Sequence, residues 1–134
     1  MTTTNRPDVE AVCHLIGQAK AGELAAENIK KELVWLGAVR ESDPFDVKIY
    51  ACRECGQVFL YCFKQYTSAG WDDDYWTFWI PISEEESEGI RASQSLLESI
   101  AALLTTRSHI CWHPDGQIFW AESGFPLAPI VFLS

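Results

Sequence analysis

The sequence predicts an α+β fold: an antiparallel sheet, made of a meander and a C-terminal hairpin, packed by helices. Three observations carry this. Three β-rich segments between Val47 and Ile80 are joined by short connections, which favours antiparallel neighbours. Ser83 stands three residues before Glu86 and ahead of Ile90, Leu97, Ile100 and Leu104, the pattern of a capped amphipathic helix. Finally, Pro114-Asp115-Gly116 separates two apolar segments, as in a short hairpin loop. At 134 residues and 48% hydrophobic content, residues 1–134 are expected to form one domain rather than a disordered chain.

The elements follow in order. Residues 1–7 read as a flexible lead, with Asn5 able to cap a first helix and Pro7 in its first turn. Val9, Val12, Cys13 and Ile16 fall at helical spacing. A second helix is expected from Glu23 to Leu36, with Ala25, Ile29, Leu33 and Leu36 on its apolar face and Gly37 at its end. Arg40 to Asp46 reads as a loop. Strands are expected at Val47–Cys52, Val58–Phe63 and Tyr75–Ile80, then one helix from Ser83 to about Thr105. Arg107–His113 and Gln117–Ala121 form the final hairpin, and the tail from Phe125 to Leu133, with Pro126 and Pro129, suits an edge segment. The predicted order is ααβββαββ.

Composition narrows the function classes. The net charge is -9, which disfavours a grip on nucleic-acid phosphates. No run of 18 apolar residues marks a membrane span, and the polar start has no apolar run of a secretory signal behind it. The expected compartment is the cytoplasm. The chain has no G-x-S-x-G elbow, no H-E-x-x-H and no glycine-rich phosphate loop, so a non-catalytic role is expected.

Five cysteines, an odd number, argue against a disulfide framework. Cys13 and Cys62 read as core residues, and His14 has no evident partner. Cys52-Arg53-Glu54-Cys55-Gly56 has the spacing of a metal knuckle, in which glycine lets the turn close. It is half a site, because structural zinc takes four ligands. The complementary half on sequence grounds is Cys111 with His113, two apart on one strand face, and His109 could substitute for His113. The expectation is no bound metal, or, if zinc binds, ligation by Cys52, Cys55, Cys111 and His113. Cys52, Cys55 and Cys111 centre the rival reading, a small zinc-binding module or cysteine-dependent enzyme. Redox chemistry of the thioredoxin kind is disfavoured because a β pattern, and not a helix, follows the motif.

The run from Cys52 to Tyr61, together with Tyr75 to Pro81 and the acidic Ser83-Glu84-Glu85-Glu86, resembles small uncharacterised bacterial proteins in which a C-x-x-C-G turn opens an aromatic hairpin. The likeness covers residues 50–90. In fold and composition the chain is also similar to immunity proteins of toxin systems. That resemblance implies a protein that neutralises a basic toxin by binding it.

The residues themselves point to a partner as well. Nine of 17 aromatics lie between Phe59 and Trp79, and seven acids with no base lie between Trp71 and Ile90. Aromatics anchor interfaces and charge steers encounter. The candidate partner surface is Trp71, Asp72, Asp73, Asp74, Tyr75, Glu84 and Glu85, facing a basic protein. A homodimer contact is the alternative use of the aromatic surface. Consecutive aspartates lack the spacing of a calcium loop.

Overall fold

Period-two alternation builds the centre of the molecule. The computed structural model describes residues 13–42, 45–67, 73–113 and 117–122. Its strands are β1 (Leu33–Ser42), β2 (Phe45–Cys52), β3 (Val58–Thr67), β4 (Asp73–Ile82), β5 (His109–Trp112) and β6 (Phe119–Ala121). They form one sheet in the order β1-β2-β3-β4-β5-β6, every neighbour antiparallel. The helices are α1 (His14–Ala21), α2 (Ala26–Glu32), α3 (Glu84–Ala92) and α4 (Leu96–Thr106). The α+β class is as the sequence predicts, and the order is ααββββααββ. No described helix is long and apolar enough to cross a membrane.

Both faces of the sheet are covered. Val58, Leu60 and Cys62 of β3 and Phe78, Ile80 and Ile82 of β4 point to one face, where Ile90 of α3 and Ile100 and Leu104 of α4 pack on them. Phe59 and Trp79, between those residues in sequence, point to the other face with Leu15, Ile16 and Ala19 of α1 and Ile29 of α2. Apolar residues at both parities of β3 and β4 therefore supply two cores, one on each side. Cys62 is buried, in line with its reading as a core residue.

Four expectations on element boundaries are corrected. Leu33–Leu36 is not the end of a helix, because α2 stops at Glu32 and the chain enters β1. Val34 and Trp35 favour an extended chain, and the ladder to β2 satisfies the backbone that a helix end would leave open. The expected Arg40–Asp46 loop lies largely inside β1 and β2 for the same reason. The long helix after Ser83 is two helices, broken at Ser93–Ser95. Ser93 Oγ accepts from the Ser95 amide at 3.1 Å and lies 3.2 Å from Ser99 Oγ, so serine hydroxyls take over backbone bonding there. Cys13, expected inside the first helix, is instead the extended N-cap of α1, which begins at His14. The Asn5 cap, the Pro114–Gly116 loop and the tail lie outside the described residues.

The capping box is present as the spacing predicts. Ser83 Oγ accepts from the Glu86 amide at 3.0 Å, and the Ser83 amide donates to Glu86 Oε1 at 2.8 Å. Glu86 is also held by Arg107, at 3.0 and 2.7 Å, and Arg107 donates to the Pro81 carbonyl. The hydrogen bonds from Arg107 lower the Glu86 pKa from its ordinary 4.5, against a smaller opposing effect of burial. A lowered acid pKa stabilises the fold above the unfolded value, and the contribution disappears as pH falls through the folded value. Glu86→Gln is expected to cost about 1 kcal/mol near neutrality, discounted for its solvent exposure. Urea unfolding at about pH 7 and about pH 3 checks this: the gap between wild type and variant closes on acidification.

Candidate metal centre and apolar edge

Three cysteines meet at one end of the sheet. Cys52 ends β2, and the next turn reverses the chain into β3. That turn closes through the Gly56 amide, which donates to the Cys52 carbonyl at 2.9 Å, and the Cys52 amide, which donates to the Gln57 carbonyl at 2.8 Å. Gly56 sits at φ +81°, a conformation that costs glycine little and other residues more. The Arg53 amide donates to the Glu32 carbonyl at 2.7 Å, fastening the turn to the end of α2. Cys13 reaches the same place from the N-terminus of α1. The Sγ atoms of Cys13, Cys52 and Cys55 lie within 4.8 Å of one another, with Cys13 and Cys52 buried and Cys55 exposed.

His14 joins this cluster. Its Nδ1 is 3.9 Å from Cys52 Sγ, and its Nε2 is 3.5 Å from Glu32 Oε1. That Glu32 oxygen is buried and makes no hydrogen bond. Glu54 completes a second group with His14 and Glu32. Burial, reinforced by the charge of Cys52, raises the Cys13 thiol to about 12, although the Ile16 and Leu15 amides pull it down. Without a cation Cys13 is thus a neutral thiol. A bound metal reverses that preference, since a coordinating thiol is deprotonated.

The sequence-derived ligand set is corrected in half of its members. Cys52 and Cys55 are together, but Cys111 and His113 are not with them. Cys111 is buried in the core on the α3/α4 face, paired across the ladder with Phe78, whereas Cys52 belongs to the core on the α1/α2 face. The thickness of the sheet separates them. His109 shares the Cys111 parity and stands edge-on to Phe78 at 5.6 Å, and His113 lies 4.7 Å from the Trp76 ring. Cys13 and His14 are the residues that sequence reasoning missed. A cysteine next to a histidine at a helix start was the available signal, but the contact spans 38 positions.

The candidate partner residues are also divided. Trp71 and Asp72 lie outside the described residues. Asp73, Asp74 and Tyr75 begin β4, opposite Thr67, Tyr66 and Gln65 of β3. Glu84 and Glu85 are exposed in the first turn of α3, beyond the other end of β4. An extended chain rises about 3.3 Å per residue, so the length of β4 puts roughly 30 Å between the two acidic groups. They do not make one edge.

A different apolar group lies at the same end of the sheet as the glutamates, three strands away on β1. Val34, Trp35 and Leu36 are exposed, Trp35 at 59%. They stand on β1, whose outer side has no strand neighbour among the described residues. The register runs from Val34 to Ala51, to Val58 and to Ile82, which brings Val34 to the end of the sheet where α3 starts. Nine helical residues span about 13 Å, close to the roughly 14 Å of three inter-strand spacings. Accordingly α3 crosses from β4 to β1, where Arg91 donates to the Leu36 carbonyl at 3.2 Å.

On the α1/α2 face, Tyr50, Tyr61 and Trp79 form an edge-to-face row with centroid spacings of 5.7 and 5.9 Å. With Leu33, Ile29 and Trp112 they line a cavity of about 280 Å³. Burial pushes the Tyr61 phenol up to about 12, so it remains protonated.

No protein-family model, curated protein or solved structure matches the chain.

Proposed function

We propose that the chain is a non-catalytic acidic protein that binds another protein with a basic surface, and that neutralising a basic toxin is the specific case. The observation that carries this reading is the exposed Val34-Trp35-Leu36 run on the outer strand β1, at the end of the sheet where α3 begins. Apolar residues with an aromatic at the centre supply anchoring area, and carboxylates at the same end of the sheet steer a cationic partner from a distance. The net charge of -9 acts in the same direction at longer range. Glu84 and Glu85 keep the steering role that the sequence suggests, from the β4 side of that end, while Trp35 on β1 is the anchor.

Capture from native lysate tests the proposal. The reading expects a stoichiometric basic partner at low salt and less of it as salt rises, because exposed charges are screened within about 10 Å at 0.1 M. Recovery of no partner in either condition, or of an acidic one, overturns it. A second copy of the chain as the sole associate assigns the edge to a homodimer instead.

A further inference from the structure

We propose that Cys13, Cys52, Cys55 and His14 Nδ1 bind one structural Zn²⁺, and that Glu32 orients His14 through its Nε2–H. The donor set is the first argument. Three thiols and an imidazole are soft and borderline ligands, and Cys3His is an established tetrahedral zinc set. Carboxylate-loving cations such as Mg²⁺ and Ca²⁺ are poorly served by sulfur.

Distances are the second argument. With Zn–S near 2.3 Å and Zn–N near 2.1 Å, the edges of a tetrahedron are about 3.6–3.8 Å. The Cys52 Sγ to His14 Nδ1 separation is 3.9 Å, and the three sulfurs lie within 4.8 Å. Drawing the three sulfurs into such a shell therefore takes movements of about an ångström, and the His14 ring already stands at that spacing from Cys52. Cys55 is exposed, which gives the ion an entry path.

The arrangement around His14 is the third. A histidine that ligates through one nitrogen usually donates from the other to a carboxylate or carbonyl, which fixes ring and tautomer. Glu32 Oε1 is 3.5 Å from Nε2, buried, and without a hydrogen bond. Ligation at Nδ1 places the proton on Nε2, facing that oxygen. Binding releases the three thiol protons to solvent, leaving three thiolates on the ion. The ion would join the start of α1 to the β2–β3 turn, two segments otherwise linked through side-chain packing.

Cobalt titration of the full chain, reduced with a phosphine and freed of metal, tests the proposal. One equivalent of Co²⁺ should give thiolate-to-metal charge-transfer bands and tetrahedral d–d bands, and one equivalent of Zn²⁺ should displace it and raise the melting temperature. Cys55→Ser, at an exposed position, should reduce the charge-transfer intensity and the affinity. Cys111→Ala, on the other face of the sheet, should bind one equivalent unchanged. His14→Ala should shift the d–d bands, and Glu32→Gln should weaken zinc about 10–100-fold while leaving the bands in place. Absence of thiolate bands in folded wild type, or a Cys55→Ser protein that binds as wild type does, overturns the site. Bands unchanged in His14→Ala overturn the fourth ligand.

Discussion

Phe78→Ala is expected to destabilise the protein by about 3–5 kcal/mol, the range for removing a fully buried aromatic side chain. Phe78 is inaccessible to solvent in the core beneath α3 and α4. The Trp76 ring stacks on it at 6.4 Å and the His109 ring meets it edge-on at 5.6 Å. Its strand neighbours across the ladder are Cys62 and Cys111, both small, so neither can reach into the space a missing ring would leave. Domains are stable by only about 5–15 kcal/mol, which makes the loss a large share of the total. The melting temperature should fall by on the order of 10–20 °C. Denaturant unfolding measures it, and a loss below about 1 kcal/mol would mean that the core collapses around the gap.

Trp35→Ala is expected to weaken partner capture by about 2 kcal/mol or more, roughly 30-fold, while leaving stability almost unchanged. The two effects separate because Trp35 is exposed in the free protein and gives up little burial when truncated. Charge reversal of Glu84 and Glu85 should act differently. It slows association and loses its effect at high salt, whereas the tryptophan variant dissociates faster at any salt. A Trp35→Ala protein that captures its partner as wild type does would remove the apolar edge from the interface.

Local patterns were the legible part of this fold. The capping box at Ser83, the alternation in β3 and β4 and the short connections each involve residues a few positions apart. Leu33–Leu36 was misread because its apolar spacing suits a helix face as well as a strand, and only the ladder to β2 decides between them. The metal half-site shows the same limit. Knuckle spacing identified Cys52 and Cys55, but the choice of their companions depended on which face of the sheet each cysteine takes. Pairing registers set that parity: they put Cys111 beside Phe78 and leave Cys52 on the side of α1. His14 and Cys13 come from a helix whose packing no local pattern specifies.

The irregular register of β1 has a consequence for how the molecule behaves in a crowd of its own copies. The strand shifts against β2 between Trp35 and Gly37 and again between Ala38 and Arg40. With no strand outside it among the described residues, β1 with two such offsets is bent and over-twisted, and its outward backbone groups no longer run in a straight, evenly spaced row. An incoming strand could match only the few residues before the first offset, too short a stretch to seed a growing cross-β stack. Val34, Trp35 and Leu36 can therefore remain open to a specific binder at concentrations where a flat edge of the same composition would polymerise.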